Sequence, residues 1–135
     1  MKPEQLLTKR IANHLLEEHN KVPFRIDLAA DMPLPPHLAK RLKELHGKWS
    51  RGHPDLLLMT MRDGYGGLYL ELKATDNVPD TEHTRRQASY HAVLRFNGYK
   101  VSFCCGLEDC KGQIDAYLKR KLTIRKVKIK KLKSE

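Results

Sequence analysis

The chain has 135 residues, the length of one ordinary domain, with 40% apolar and 31% charged residues, a soluble globular composition rather than a disordered or membrane one. No apolar run approaches the roughly 20 residues that a membrane-spanning helix needs. The opening MKPEQLLTKR has neither the apolar core nor the cleavage site of a secretory signal, so a cytoplasmic location without a membrane partner is expected. The formal charge of +10 comes from one place: KRKLTIRKVKIKKLK, residues 119–133, carries nine of the 26 basic residues and no acid, leaving 17 basic against 16 acidic residues elsewhere. Such a strip favours polyanions, nucleic acid above all, through phosphate contacts and counterion release; a solvated tail that only aids solubility is the alternative.

In chain order, residues 3–19 read as a helix with Leu7, Ile11 and Leu15 in a stripe and Pro3 in the first turn, where proline is tolerated. Glu4 and Glu18 fall toward the side of that stripe, an unusual direction for carboxylates. Pro23 ends the helix, and Phe24, Ile26 and Leu28 alternate with Arg25 and Asp27 as a short strand. The DMPLPP run at 31–36 should be irregular, because three prolines remove backbone donors and fix φ. Residues 37–46 predict a short helix with Leu38, Leu42 and Leu45 at helical spacing, Lys40, Arg41 and Lys43 elsewhere on its surface, and Gly47 as C-cap.

Leu56–Met61 is an apolar run of strand length and Leu68–Lys73 a second that alternates strictly, with Asp63, Gly64, Gly66 and Gly67 between them; together they predict a hairpin. A helix is expected over 81–96, stopped by Asn97 and Gly98, then a strand over 99–105 with Val101, Phe103 and Cys105 on one face, then a helix over 107–118. Helices alternating with a hairpin and a returning strand predict an α/β fold with a mixed β-sheet flanked by helices. The three cysteines, Cys104, Cys105 and Cys110, make a poor disulfide framework and match no standard zinc spacing, so free thiols acting as small core residues are expected.

In LYLELK, period-two geometry sends the three leucines to one face and Tyr69, Glu71 and Lys73 to the other. A turn centred near Gly64 would pair residues whose numbers sum to about 128. Asp55 then falls across from Lys73 and one diagonal step from Glu71. Two carboxylates this close raise one another's pKa unless a cation lies between them, and a hard divalent ion such as Mg²⁺ or Mn²⁺ suits oxygen ligands with positions open to water and phosphate. Lys73 would orient the attacking water or offset charge developing on a phosphorane. For E-x-K alone the ordinary reading is a salt bridge on a half-buried strand; Pro54-Asp55 at hairpin distance reverses that. His53, His83 and His91 read as surface or packing histidines, since a metal-activated water needs no histidine base.

The stretch GHPDLLLMTMRDGYGGLYLELK, residues 52–73, resembles the core of the PD-(D/E)xK nuclease superfamily, and its spelling, with a following glutamine helix and FNGYKV, resembles the VRR-NUC (virus-type replication-repair nuclease) branch, whose small stand-alone members are common in phages. The resemblance runs from about Phe24 to Tyr117. It implies a restriction-endonuclease-like core over 1–118 with a basic tail at 119–135, and a Mg²⁺-dependent deoxyribonuclease in which Mn²⁺ can substitute. Asp55, Glu71 and the carbonyl of Leu72 would hold the metal, joined by a first-helix glutamate, Glu4 or else Glu18. Lys73 would be the catalytic lysine, and Gln87 would bond to DNA phosphate or to the lysine region.

The resemblance further implies branched DNA such as four-way junctions as substrate, a homodimer or higher homo-oligomer, and a bacterial or phage-infected cell. Recognition would fall to Lys40, Arg41, Lys43, Lys48, Arg51 and tail residues such as Lys126 and Lys128. A non-catalytic nucleic-acid-binding module, or a sequence-specific restriction-type endonuclease on the same fold, are the competing readings.

Overall fold

The computed structural model describes residues 2–26, 34–47 and 52–123. Eight elements follow one another: α1 (Pro3–Glu18), β1 (Phe24–Ile26), α2 (Pro36–His46), β2 (Leu56–Leu58), β3 (Leu68–Lys73), α3 (Glu82–Phe96), β4 (Lys100–Cys105) and α4 (Leu107–Leu118). The strands form one mixed sheet in the order β1-β2-β3-β4. β1 and β2 pair antiparallel, as do β2 and β3, while β3 and β4 run parallel. A parallel pair cannot be closed by a tight turn and needs a crossover; α3 supplies it, and so lies over the sheet face opposite the leucines.

Alternation along the strands separates two faces. Leu56, Leu58, Leu68, Leu70 and Leu72 join Leu7, Ile11 and Leu15 of α1 and Cys104, Cys110, Ile114 and Tyr117 around α4 in one buried cluster. The other face carries Tyr69, Glu71 and Val101, all buried, beneath α3. The stripe predicted for the first helix is therefore the one that packs. In α2, by contrast, Leu38, Leu42 and Leu45 remain exposed among the described residues.

The hairpin register differs from expectation. Observed partners are Leu56↔Leu70, Leu57↔Tyr69 and Leu58↔Leu68, a sum of 126 rather than 128. Asp63 and Gly64 both have positive φ, 48° and 81°, between the bridged pair Arg62↔Tyr65; this is the backbone of a two-residue type I′ turn, which an Asp-Gly pair suits. The tip thus centres half a residue before Gly64, and one extra residue in Met59–Met61 shifts the ladder once more. Continuing it by one step puts Asp55 opposite Glu71, not Lys73. Because the slip is by two, every side chain keeps its face; a slip by one would have reversed them.

Other expectations need correction too. Pro36 opens α2 instead of belonging to an irregular run, since at a first helical position proline's missing N–H costs nothing. β2 ends at Leu58, three residues early. Cys104 and Cys110 form a disulfide, leaving only Cys105 free. The turn from β4 into α4 brings their Cα atoms to 5.1 Å, well inside the range a disulfide spans, a proximity that spacing rules for whole frameworks do not register. The first tail residues are held: Lys121 accepts a hydrogen bond from the Asp63 N–H, and Thr123 donates its N–H to Met61 and accepts from Gly64 N–H through its hydroxyl.

Candidate active site

β2, β3 and α3 converge on one corner of the α3-covered face. Asp55 stands just before β2, on a bend entered through Gly52, whose φ of +83° strains any side chain and whose close approach to the Arg86 carbonyl crowds one. Pro54 is buried and His53 Nδ1 donates to the Pro54 carbonyl at 2.8 Å. Asp55 Oδ2 accepts the Leu72 N–H at 2.9 Å. A strand residue directs its N–H and C=O to the same sheet edge, so the Leu72 carbonyl also faces the Asp55 side, beyond the end of β2.

Glu71 is 2% exposed. It accepts a short hydrogen bond from Gln87 Nε2, while Gln87 Oε1 accepts from Lys73 Nζ at 3.2 Å. One amide from α3, itself 4% exposed, thereby ties the glutamate and the lysine together, and its two ends are the right way round for an acid and an ammonium. The lysine also lies 5.9 Å from the centre of the Phe103 ring. One helical turn beyond Gln87, His91 is completely buried: its ring is 4.7 Å from that of Phe103 and its Nε2 is 3.8 Å from Glu71 Oε2.

The electrostatics follow from burial. The Asp55 carboxyl is pushed up to about 7, first by desolvation and then by the neighbouring Glu71 charge; the Leu72 N–H and Lys73 pull the other way but do not win. Desolvation, reinforced by Arg95, lowers His91 to about 4, so its imidazole is neutral at pH 7. An acid pair left under-compensated by one amine is the donor set a hard divalent cation requires, and the carboxylates with the inward-turned Leu72 carbonyl fit such an ion.

The structure thus brings together Asp55, Glu71, Leu72, Lys73 and Gln87. It does not draw Glu4 or Glu18 into the cluster by any hydrogen bond or ion pair among the described residues. Glu4 is exposed in the first turn of α1, where an acid suits the helix dipole, and Glu18 lines a pocket with His14, His19 and Asp115. Lys40, Arg41 and Lys43 are exposed on α2; Lys48, Arg51, Lys126 and Lys128 lie outside the described residues. His91 is the packing histidine that the sequence reading allowed for, buried against Phe103 beside Glu71. Its spacing of four from Gln87 puts it on the same side of α3.

No protein-family model matches the sequence, and no curated protein does. Among solved structures, the chain is similar to one described as "VRR_NUC domain protein", with a TM-score of 0.65 and 22% identity, over 90% of this chain and 92% of that one. The chain has a VRR_NUC-type fold. In this chain the hairpin β2–β3 and the crossover helix α3 carry the acid pair, the lysine and the glutamine, so the cluster sits on the α3 face of the mixed sheet. No helix among the described residues is long and apolar enough to cross a membrane.

Proposed function

We propose that this chain is a divalent-metal-dependent nuclease of the VRR-NUC branch, hydrolysing DNA phosphodiesters with Mg²⁺ or Mn²⁺. One observation carries the reading: Lys73, Gln87, Glu71 and Asp55 meet on a single face, in the order that the PD-(D/E)xK resemblance requires. Asp55, Glu71 and the Leu72 carbonyl would hold the metal. When bound, the ion supplies Lewis acidity toward a phosphoryl oxygen and acidifies the attacking water. Gln87 holds the Lys73 ammonium at 3.2 Å and Glu71 at its other end, so both charges are positioned before substrate arrives. Lys73 then offsets negative charge building on the phosphorane. Neutral His91, packed behind Glu71, excludes water from that side and competes with neither carboxylate for a proton.

Of the α1 acids, Glu4 remains the proposed additional ligand, since Glu18 faces a different pocket. Branched DNA is the proposed substrate and a homodimer the proposed assembly, because two cuts on a symmetric junction need two centres at fixed separation. Lys40, Arg41, Lys43, Lys48, Arg51 and a basic tail beginning at 119, with Lys126 and Lys128, would bind phosphates in the cytoplasm of a bacterial or phage-infected cell.

The test incubates the purified chain and Lys73→Ala with labelled linear, flap and four-way DNA, with Mn²⁺ or with EDTA. Cleavage that needs both Mn²⁺ and the lysine, and is fastest on a branched substrate, is the expected result. Turnover by Lys73→Ala equal to that of the parent would refute the assignment.

A further inference from the structure

On the opposite layer of the molecule, three side chains of metal-ligating type meet without serving the nuclease corner. His14 lies on α1, three residues past buried Ile11, and His19 is the C-cap residue, with φ −136° and ψ 48°. That departure from helical backbone turns its ring back toward His14, and the two rings sit edge to face with centres 5.4 Å apart. Asp115, on α4, enters from across the helix pair. Its Oδ1 accepts from His14 Nε2 and from His19 Nε2, both at 2.8 Å, and the ligand atoms of the three residues lie within 4.8 Å of one another. All three are half-buried, at the mouth of a pocket that Glu18 also lines.

We propose that His14, His19 and Asp115 form a second metal site, selective for a divalent transition ion that prefers imidazole nitrogen, with Zn²⁺ as the reference ion. Two imidazoles and a carboxylate are a donor set suited to zinc, with bonds of about 2.1 Å. Four-coordinate geometry with such bonds separates ligand atoms by about 3.4 Å. Each 2.8 Å contact therefore has to open by about 0.6 Å, and each Nε2 has to pass the proton it gives Asp115 to solvent, its own Nδ1 then carrying the neutral ring's proton. Glu18 or a water fills the fourth position.

Charge around the pocket bears on the choice of ligand. Lys111, Lys119 and Arg62 also line it, which could suggest an anion. Arg62, however, spends its guanidinium on the carbonyls of Leu118 and Arg120 and on the Thr60 hydroxyl. The point that both imidazoles address is occupied by a carboxylate, so a phosphate there would have to displace Asp115 and face Glu18. Asp115 is held at that point by both imidazoles. An ion at this place would tie the C-terminal end of α1 to α4, the two helices that cover the leucine face, and so couple metal occupancy to the stability of that layer. The proposal does not depend on the nuclease reading.

The experiment titrates the full chain with Zn²⁺ by calorimetry and with Co²⁺ by visible absorption, and follows the thermal midpoint by circular dichroism. Asp55→Asn, His14→Gln, His19→Gln and Asp115→Asn are treated alike. Zn²⁺ should bind Asp55→Asn at one equivalent and the parent at no less than one, and raise the midpoint of both. Co²⁺ should give the intense absorption of a nitrogen-containing four-coordinate site rather than the weak bands of an oxygen shell. His19→Gln, which alters a partly exposed cap and leaves the core intact, should lose at least tenfold in Zn²⁺ affinity, as should Asp115→Asn. Zn²⁺ affinity unchanged in folded His14→Gln and His19→Gln would overturn the proposal. So would a midpoint raised by inorganic phosphate and not by Zn²⁺.

Discussion

Replacing Asp55 with asparagine should make the metal-free protein more stable, by an amount that depends on pH in a defined way. The native carboxyl is raised from 3.8 to about 7, so the folded state holds its proton more tightly than the unfolded state does. Stability from that proton is fully present below pH 3.8 and is lost as pH rises toward 7. A gap of about three pH units corresponds to on the order of 4 kcal/mol, accumulating at about 1.4 kcal/mol per unit. His91 acts in the reverse direction: its native value is lowered from 6.5 to about 4, so stability is lost as pH falls through that interval, roughly 3 kcal/mol in all. Between pH 4 and 6.5 the two slopes oppose, and the parent protein should be nearly insensitive to pH there.

Asparagine keeps an oxygen for the Leu72 N–H and removes the titration. Asp55→Asn should therefore gain stability as pH rises from 4 to 6.5, and its advantage over the parent should reach about 4 kcal/mol above pH 7. Urea unfolding at half-unit intervals in EDTA measures this difference directly. Parallel curves for the two proteins would refute the argument that the acid pair is under-compensated without a cation. Adding Mn²⁺ should raise the parent above pH 7 and leave Asp55→Asn nearly unchanged.

Other outcomes bear on the same framework. Gln87→Ala removes the amide that joins Glu71 to Lys73 and should cost about 1–3 kcal/mol while lowering cleavage at least tenfold; a stability loss with full cleavage would make the glutamine purely structural. Leu70, fully buried on the α1/α4 face, should lose about 2–5 kcal/mol on truncation to alanine, measured by urea unfolding, and a neutral result would mean that the strand faces are assigned backwards. Truncation after Thr123 removes six of the nine tail cations but spares the Lys121–Thr123 contacts with the hairpin. It should weaken DNA binding and flatten its dependence on salt, and an unchanged salt slope would make the tail irrelevant to DNA.

Local rules recovered much of the fold. The α1 stripe, the alternation in β3 and the boundaries of α4 follow from periodicities that tertiary contacts reinforce rather than oppose. Turn chemistry located the hairpin but not its register, since the extra residue at Met59–Met61 has no composition signal. The convergence of Asp55, Glu71 and Lys73 was still legible because the error was even-numbered. The partnership of Gln87 with both charged neighbours was only half legible: the resemblance pointed to the lysine, whereas the bond to Glu71 depends on how the crossover helix seats. Nothing local announced the Cys104–Cys110 bond or the meeting of His14 and His19 with Asp115, because each depends on where α4 lands.

Among the described residues, the groups joined to one another in the proposed nuclease corner lie between Gly52 and Phe103, with Glu4 of α1 as the one proposed ligand from outside that stretch. Apart from that ligand, the proposed centre is portable. Insertions ahead of Gly52 or appended after α4 can reshape what the protein grips without disturbing how it would cut, as expected where a rigid scaffold is decorated by variable connections. If the proposed function holds, a transplant of the 52-residue stretch into another protein of this shape should carry the cutting centre and leave the choice of substrate to the flanks.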